Sequence, residues 1–544
     1  MAEDRSFHLP VAVGFISFGL FALVLFLLCL TPPVSRDALI HHLTVPTLYL
    51  KHGGMVELPY MRFSYYPGNL HLLYLLPLAA GNDILPKVIH WTFGLGTALL
   101  VFFYLRPRVG KPLGLLGAVF FLSVPAIVRL AISAYVDLGV VFFATAALLC
   151  FLRWRETGVL DRWFWGGAAL TGLALGTKYN GLIVLFLLSS FVILVSVRTH
   201  RKGPFTSVGR GILYAAAALV VFSPWMVRNG VWTGNPLYPL FPGLFSSDEA
   251  PAAAGARMLG LLTYRRDLFG ESWLEVFLLP LRLFFQGEDD NLRLFDGRLN
   301  PGLLMLPMFA FRSSAPETEH AERRWLILFC LLYFAFTFFG RELRARYFVP
   351  MVPALVILSV LGVWELFHRF SGIAVLGRRP VARGFLIAGI GGVLFWNAAY
   401  LGKQIDAVRP WTYWSGAVSR GEYIAMRRPE YPAMEFINQH LPRDARILFF
   451  FVGNRGYYCD RDYRFDIPSR TSFLREAANS GESIAKRLRA AGITHFLVRL
   501  PVFQEWILED LTAAERQRMK TFFDKRTSRL FLRNGYGVFE LNLE

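Results

Sequence analysis

The chain has 544 residues, of which 54% are hydrophobic and 15% aromatic. Apolar runs of about 16 to 23 residues recur as far as residue 402, and a soluble core cannot bury that many of them. The formal net charge of +18 does not indicate nucleic-acid binding, because most basic clusters fall in short loops between the runs, where membrane topology and anionic lipid explain them.

The composition therefore predicts a polytopic α-helical membrane protein with about eleven transmembrane helices. Pro10 to Leu30 is the clearest span, and it lacks a small-residue cleavage site, so we expect an anchor that stays in place. The other predicted spans are 83–105, 112–128, 136–152, 163–178, 180–197, 211–227, 299–311, 325–340, 347–367 and 384–402. The run 299–311 is the shortest.

The loops predict the orientation, because short cytoplasmic loops retain Lys and Arg. With the N-terminus in the cytoplasm, every second loop is basic. The long loops 31–82 and 228–298 and the C-terminal segment then lie outside. Cys459 is the only cysteine beyond the spans, so no disulfide between outside cysteines of this chain is expected, and no CxxC spacing indicates a metal or redox site.

The first outside loop begins with Ser35-Arg36-Asp37-Ala38-Leu39-Ile40-His41-His42. Its amphipathic pattern predicts a kinked surface helix interrupted at Pro46. Ser35 is the expected cap, with Asp37 in the first turn and His41 one turn later on the same face. A carboxylate held there could serve as a general base. The alternative is a helix-start carboxylate favoured by the macrodipole.

An aromatic turn, Phe63 to Asn69, follows, and then Leu70 to Leu78, which is too short to span and is predicted to form a second surface helix. Asp137 opens the fourth span at its outer end, and Lys178 lies between the fifth and sixth spans, also outside. Ionisable residues are costly in a membrane, so each needs a reason. A structural ion pair is one reason, and substrate binding is the other.

Two later outside stretches carry arginine. Arg228 to Pro239 combines turn residues with aromatic residues suited to a membrane interface. Three arginines follow the ninth span, against the positive-inside trend: Arg341, Arg344 and Arg346. With Lys178, they are predicted to bind a phosphate or pyrophosphate. Contact with lipid headgroups is the alternative.

From about residue 403 the composition is that of a small soluble domain. The predicted elements are a helix at 433–441, a strand at 447–452, a helix at 482–491, a strand at 493–498, a helix at 501–524, and a hairpin at 529–533 and 536–541 turned by Asn534-Gly535. They indicate a βαβ-like α/β unit. We therefore predict a transmembrane catalytic module, 1–402, and an extracytoplasmic α/β domain, 403–544.

Several segments, in this order, resemble the GT-C membrane glycosyltransferases related to protein O-mannosyltransferases and to the aminoarabinose transferase of lipid A. The segments are Asp37 to Leu43, Tyr66-Pro67-Gly68, Ala134 to Asp137, Gly172 to Tyr179, Arg228 to Pro239 and Arg346 to Pro350. The resemblance implies a polyprenyl-phosphate-linked sugar donor and an envelope acceptor (a glycolipid, glycan or protein) at the outer face of a bacterial inner membrane. It also implies that a first-loop aspartate is the catalytic base.

Asp37 stands at that position, but relatives commonly have an Asp-Glu pair there, and residue 38 is alanine. His41 or His42 is expected to replace the support of the glutamate, unless this subgroup manages without it. Some relatives use a divalent metal and others do not. A divalent metal therefore stays an open alternative, with Asp37, His41 and Asp137 as candidate ligands.

The predicted function is an inverting glycosyltransferase with Asp37 and Asp137 as catalytic residues. The donor phosphate is assigned to Lys178, Arg341, Arg344 and Arg346, with support from His41, His42, Arg228 and Tyr66. One rival is a transporter or flippase of lipid-linked sugars, which should show polar residues at mid-membrane and broken helices in matched halves. The sequence shows neither. A polymerase or ligase of glycan chains is the other rival.

Overall fold

The structure is a computed structural model that describes residues 5–245, 263–311, 317–340, 342–371, 378–466, 472–479 and 484–542. The chain forms two compact units. The first comprises Met1–Leu30, Tyr65–Tyr74 and Ile84–Pro410, and the second comprises Thr31–Ser64, Leu75–Asp83 and Trp411–Glu544. The second unit thus includes parts of the first outside loop as well as the C-terminal segment. The division of function at residue 402 stays a prediction.

The helices of the structure are numbered in chain order. The first sixteen are α1 (Arg5–Cys29), α2 (Thr44–Lys51), α3 (Asn69–Ala79), α4 (Leu85–Ser123), α5 (Pro125–Ala131), α6 (Asp137–Thr157), α7 (Arg162–Thr177), α8 (Gly181–Arg198), α9 (Pro204–Thr233), α10 (Pro242–Phe245), α11 (Trp273–Phe277), α12 (Leu279–Phe285), α13 (Gly302–Met305), α14 (Glu317–Gly340), α15 (Val352–Ser371) and α16 (Arg378–Val408). The others are α17 (Pro410–Trp414), α18 (Arg420–Ala425), α19 (Tyr431–His440), α20 (Phe473–Asn479), α21 (Ile484–Ala490), α22 (Leu500–Asp510) and α23 (Ala513–Arg526).

The first unit is a bundle of apolar helices. In the described part of the chain, seven helices are long and apolar enough to cross a membrane: Pro10–Cys29, Leu85–Ser123, Asp137–Thr157, Gly181–Arg198, Pro204–Thr233, Val349–Arg369 and Arg383–Trp414. The polytopic helical architecture is confirmed, but the number of eleven spans is not. The predicted span 299–311 forms only a short apolar helix, Gly302–Phe311.

The difference in number has local causes. The predicted spans 83–105 and 112–128 both fall in α4, apart from the last residues of the second, and α4 has non-helical backbone at Gly110, with φ 84° and ψ 168°. Only glycine adopts such backbone readily, so α4 can turn there between Pro107 and Pro112. Helix α7 matches the span 163–178 but has 16 residues, fewer than the about 20 that a bilayer requires.

Buried ion pairs join the helix ends that are predicted to face the cytoplasm. Glu322 of α14 accepts a hydrogen bond from Arg108 of α4 at 2.8 Å, and Arg155 of α6 lies 4.0 Å from the same carboxylate. Arg323 pairs with Glu365 of α15 at 2.7 Å. Removing one partner of such a pair leaves a buried charge, which is strongly destabilising. Some of the basic residues that the sequence assigns to topology therefore also stabilise the bundle.

The second unit contains a five-stranded sheet in the order β2-β1-β3-β5-β4. The strands are β1 (Arg446–Phe450), β2 (Asp462–Asp466), β3 (His495–Arg499), β4 (Thr527–Arg533) and β5 (Tyr536–Leu541). Strand β1 is parallel to β2 and β3, and β5 is antiparallel to β3 and β4. Successive side chains point to opposite faces. Phe450 accordingly packs with Trp506 and Met519, whereas Phe449 packs with Ile437 of α19.

The predicted α/β domain is confirmed, with two differences. Asn534 and Gly535 have φ of 54° and 77°, as the predicted hairpin turn requires. The single helix predicted at 501–524 is wrong, because Thr512 and Glu515 form a capping box that starts α23, a signal that the sequence carried. Strand β2 was not predicted, because its residues are mostly polar and face solvent in part.

Candidate active site

Two ionisable residues predicted at the outer ends of spans meet in the first unit. The Nζ atom of Lys178 lies 2.7 Å from Oδ1 of Asp137. Asp137 is the first residue of α6, and Lys178 directly follows the last residue of α7. A short connection makes consecutive helices antiparallel neighbours, so the start of α6 lies beside the end of α7. Each charge also suits its helix end, the anion at the N-terminus and the cation at the C-terminus.

Only one of the two carboxylate oxygens of Asp137 has a hydrogen-bond partner among the described residues. The side chain of Asp137 is 4% exposed and that of Lys178 is 20% exposed. The second oxygen of Asp137, Oδ2, is buried and has no hydrogen-bond donor among the described residues. A buried acceptor without a donor costs about 1–3 kcal/mol, so it requires an explanation. A purely structural ion pair explains Oδ1 but leaves Oδ2 unexplained.

Arg346 adds a second cation and is close enough to interact electrostatically with Asp137. Its guanidinium carbon lies 5.5 Å from the ring centroid of Tyr135 and 5.3 Å from that of Tyr347. The Nζ atom of Lys178 lies 5.5 Å from the same Tyr347 ring. Cation–π contacts of this kind hold a cation without neutralising it. Two cations and one carboxylate leave this cluster with a single net positive charge.

His90 fixes the start of α6 and was missed by the sequence analysis. It is fully buried, and its Nε2 accepts a hydrogen bond from the backbone N–H of Leu138 at 2.9 Å. Its Nδ1 lies 3.0 Å from the carbonyl of Leu130 and 2.8 Å from that of Ser133. This network assigns the proton to Nδ1. The signal was a histidine inside an apolar helix, which is as unusual as the two charges that were noticed.

The two outer arginines that the structure describes, Arg344 and Arg346, have different partners. Arg344 pairs with Asp296 at 3.0 Å and with Glu342 at 2.7 Å, so two carboxylates offset its charge. Asp296 also pairs with Arg129 at 3.1 Å. Arg341 lies outside the described residues. The predicted role of Arg344 in phosphate binding therefore finds less support than that of Arg346, because its guanidinium already has acceptors.

Arg228 and Tyr66, the predicted supporting residues, belong to a different network. Arg228 donates to the carbonyl oxygens of Tyr65 at 2.6 Å and Tyr66 at 3.2 Å. Its neighbour Asn229 is buried and donates to the carbonyl of Tyr65 at 2.9 Å and that of Tyr238 at 3.1 Å. These contacts hold the aromatic turn against the end of α9. Their evident role is to position that turn.

Asn69, at the end of the same turn, joins it to α7 and α9. Its Nδ2 donates to the carbonyl of Leu173 at 3.2 Å, and its Oδ1 accepts from Nε1 of Trp225 at 2.8 Å. A Cβ at Gly176 would lie 2.5 Å from the Nδ2 atom of Asn69. The glycine two residues before Lys178 is therefore required by this close approach. The sequence analysis missed Asn69, because its partners are more than a hundred residues away.

Asp37 lies in the second unit, at the start of an unusual turn. Residues Ala38–His42 form a π-helical turn, in which the backbone N–H of Leu43 bonds to the carbonyl of Ala38 at 2.9 Å. Asp37 is its half-buried N-cap residue and makes no capping hydrogen bond with its side chain. Arg36 and Asp37 are themselves helical, and the carbonyl of Ser35 accepts from the backbone N–H of Leu39 at 3.2 Å, so Ser35 directly precedes the first helical turn. Single π-turns are rare and frequently mark functional sites.

The break in the first loop also differs from the prediction. Helix α2 starts at Thr44, so Pro46 falls in its first turn, where proline is tolerated. The regular α-helical hydrogen bonding is interrupted at the π-turn, Ala38–His42, instead. His41 stacks on Phe63 with ring centroids 4.3 Å apart, and the buried His42 lies 3.9 Å from His41. No group of three or more His, Cys, Asp or Glu side chains suited to a metal ion occurs within the described ranges.

The C-terminal segment holds the residues that precede Asp37. The hydroxyl of Tyr458 donates to the carbonyl of Pro33 at 2.6 Å, and Arg428 donates to the carbonyl of Val34. These partners are about four hundred residues apart in the chain, and all of them belong to the second unit. They give the C-terminal segment a positioning function that the sequence could not specify.

A second contact within this unit has the same effect. Arg420 lies 2.5 Å from Oδ2 of Asp83, and the hydroxyl of Tyr457 donates to this oxygen at 3.2 Å. Burial and the charge of Asp83 raise the pKa of Tyr457, so its hydroxyl keeps the proton it donates. Tyr457 and Tyr458 together form a turn that contacts both ends of the first outside loop.

The Asp137–Lys178 contact yields a prediction on stability. Replacing Lys178 with Gln should lower the unfolding free energy by roughly 1–3 kcal/mol, because it leaves a buried carboxylate without its cation. Adding Asp137→Asn should restore most of the loss. Thermal melting in detergent measures both effects. Arg153→Gln is the matched control, since Arg153 is half exposed and 3.8 Å from Glu156. A double variant as unstable as Lys178→Gln alone would contradict this account.

Comparisons with known proteins agree with this architecture. Residues 85–227, which include Asp137 and Lys178, match the model of the dolichyl-phosphate-mannose-protein mannosyltransferase family. A comparison with curated protein sequences gives no match.

Solved structures match over almost the whole chain. ArnT from Cupriavidus metallidurans bound to undecaprenyl phosphate is 14% identical, with a TM-score of 0.56 over 99% of this chain and 98% of ArnT. Its apo form gives a TM-score of 0.57 at 14% identity over 97% and 98%. The oligosaccharyltransferase AglB from Archaeoglobus fulgidus, in complex with an inhibitory peptide and a dolichol-phosphate, gives 0.50 at 12% identity over 97% and 74%. The chain therefore has the GT-C fold of membrane glycosyltransferases, as its sequence predicts.

Proposed function

We propose that the chain is an inverting glycosyltransferase that moves a sugar from a polyprenyl-phosphate-linked donor to an envelope acceptor. The observation that carries the proposal is the pair of cations, Lys178 and Arg346, beside the buried carboxylate of Asp137 in a GT-C fold. ArnT bound to undecaprenyl phosphate and AglB with a dolichol-phosphate share this fold and hold lipid phosphates of the proposed class.

Lys178 and Arg346 are assigned to the phosphate of the donor. As the sugar leaves, negative charge grows on the phosphate oxygen that carried it. Cations already in place stabilise that charge without reorganising, which is where enzymes gain most electrostatically. Lysine supplies a point charge, and arginine supplies a fork that matches two phosphate oxygens. The net positive charge of the cluster favours an anion there.

Asp37 is assigned as the catalytic base, on the basis of the sequence resemblance and of the π-turn that presents it. The acceptor oxygen forms a bond to the anomeric carbon, the bond from that carbon to the phosphate oxygen breaks, and the acceptor proton passes to Asp37. Attack from the face opposite the leaving phosphate inverts the anomeric centre. Asp137 keeps Lys178 in place through Oδ1, and Oδ2 remains to accept a hydrogen bond from a substrate hydroxyl.

No step of this reaction is assigned to a metal ion. The rival functions stay distinct from the proposal. A transporter needs no base, and a polymerase or ligase would share the donor chemistry but join whole glycan chains.

If Lys178 and Arg346 bind the donor phosphate, replacing either of them should weaken the binding of lipid phosphates. Lys178→Gln and Arg346→Gln should each weaken binding of undecaprenyl phosphate by about tenfold or more, because each removes a charge-assisted contact. Arg344→Gln is the matched control and should bind nearly normally, since its charge is offset by Asp296 and Glu342. If all three variants lost undecaprenyl phosphate binding equally, the overall positive charge of this surface would explain the binding, and Lys178 and Arg346 would not form a specific site.

If Asp37 is the catalytic base, replacing it should slow sugar transfer without weakening the binding of the donor lipid. Asp37→Asn keeps the size of the side chain but removes its basic oxygen, so transfer should slow at least about a hundredfold. Undecaprenyl phosphate binding and thermal stability should stay unchanged. The measurement is sugar transfer from a polyprenyl-phosphate pool to acceptors in envelope membranes. Asp37→Glu should keep some activity. Wild-type turnover by a folded Asp37→Asn protein would refute the assignment and favour the transporter.

We also propose that the protein lies in a bacterial inner membrane with its N-terminus in the cytoplasm and residues 403–544 in the periplasm. Labelling of the native Cys459 is not a suitable test, because this thiol is 1% exposed and burial raises its pKa to about 12. Leu508 on α22 is 66% exposed, and Val159 between α6 and α7 is 60% exposed.

An impermeant maleimide should therefore label Leu508→Cys in cells whose outer membrane has been made permeable. It should label Val159→Cys only after the inner membrane is broken. The two positions are similarly accessible in the structure, so each is the control for the other. The reverse pattern would invert the topology and place the proposed base on the wrong side.

A further inference from the structure

A polar cavity in the first unit is lined by residues between 275 and 396, none of which belongs to the cluster of Asp137, Lys178 and Arg346. It has a volume of about 560 Å³ and is bounded by α11, α12, the following loop and α16. Its polar lining includes Glu275, Arg282, Arg293 and Arg298, and Trp396 supplies an aromatic wall. None of these residues takes part in the proposed transfer of sugar.

The charges around this cavity are not balanced. Arg282 is buried and lies 3.1 Å from Glu271, which also pairs with Arg265 at 2.7 Å. Arg293 lies 3.5 Å from Glu275, and its side chain is half exposed. Arg298 uses Nε and Nη2 to hold one carbonyl oxygen, that of Gly287, and has no carboxylate partner in the described part of the chain.

The lining itself holds three arginines, Arg282, Arg293 and Arg298, and one glutamate, Glu275, which is an excess of two positive charges among the lining residues. Arg293 and Arg298 are the cations whose charge is least offset. A partly enclosed site of this sign favours anions, and arginine favours phosphate and carboxylate because its fork binds two oxygens at once.

The wall of the cavity is preformed. The backbone N–H of Gly297 donates to the carbonyl of Glu288 at 3.1 Å, and that of Glu288 donates to Leu294 at 3.0 Å, which closes the loop on itself. A Cβ at Gly287 would lie 2.5 Å from the carbonyl oxygen of Gly297, so only glycine allows this closure. A preformed site loses less conformational entropy on binding.

The surface next to the cavity is apolar. Phe277 of α11 is 80% exposed, and Leu274, Phe285 and Trp396 are also exposed. Two short helices with outward apolar side chains are suited to a membrane interface, where aromatic residues prefer to lie. The cavity therefore combines a cationic interior with an apolar border. That combination matches an amphiphile whose headgroup is anionic and whose chains stay in the lipid.

We propose that this cavity binds the phosphate-bearing headgroup of a lipid-anchored molecule. Arg293 and Arg298 contact the phosphate, Trp396 stacks against the headgroup, and the acyl chains lie along α11 and α12.

Binding can be tested without any assay of sugar transfer. The probes are dihexanoyl phosphatidic acid, dihexanoyl phosphatidylcholine and glucose 6-phosphate, added to the full-length protein in detergent, with binding measured by calorimetry. Phosphatidic acid should bind the wild type, and Arg293→Gln and Arg298→Gln should each weaken that binding by about tenfold or more. Arg266→Gln removes an equal charge from an exposed arginine stacked on Trp273 outside the cavity, and should bind normally.

The outcomes separate the alternatives. Equal binding of phosphatidylcholine would refute recognition of an anionic headgroup, and equal binding of glucose 6-phosphate would refute the role of the lipid chains. A similar loss in Arg266→Gln would refute the cavity as the site. Undecaprenyl phosphate binding at Lys178 should be unchanged in Arg293→Gln. Because Arg293→Gln removes a half-exposed side chain, unchanged thermal melting verifies its fold, and failure of this proposal leaves the donor assignment untouched.

Discussion

The ion pair of Asp137 and Lys178 constrains the first unit at its predicted outer end. It joins the start of α6 to the end of α7, and His90 secures the same start through the backbone N–H of Leu138. A carboxylate this buried must be matched by cations. Lys178 and Arg346 both lie near this carboxylate, and two neighbouring cations suit the phosphate that we propose they bind. A pair built for stability alone would need neither the second cation nor the unused oxygen.

The second unit fixes the backbone around Asp37, the proposed catalytic base. Asp37 follows a stretch whose carbonyl oxygens are held by Tyr458 and Arg428, and it opens a π-turn closed by Leu43. A catalytic carboxylate is effective only when its geometry is fixed, so remote residues that hold its backbone matter. The C-terminal sheet thus has a reason to be part of the enzyme. Its Tyr457–Tyr458 turn binds the first outside loop, which lies four hundred residues earlier in the chain.

The sequence revealed whatever depends on local pattern. Apolar periodicity located the long helices, and turn chemistry located the hairpin at Asn534. The sequence could not reveal contacts between distant segments. Such contacts pair Arg344 with Asp296, whereas Arg346 lies against the rings of Tyr135 and Tyr347. Three arginines in six residues look equivalent in a sequence, but the two that the structure describes, Arg344 and Arg346, have different partners. Arg344 directly precedes a short 3-10 segment, Ala345–Tyr347, and Arg346 lies within it. His90 and Asn69 were missed for the same reason, because their partners lie on other elements.

The distribution of uncompensated charge links the two proposals. Where the first unit needs arginine for structure, carboxylates accompany it, as Asp296 accompanies both Arg129 and Arg344. The excess positive charge described here lies beside Asp137 and in the cavity lined by Arg293 and Arg298. A local excess of cationic side chains favours anionic ligands, so each of the two places suits one anion. In the two proposals, the anion beside Asp137 is the departing lipid phosphate, and the anion in the cavity is the phosphate-bearing headgroup of a second lipid-anchored molecule.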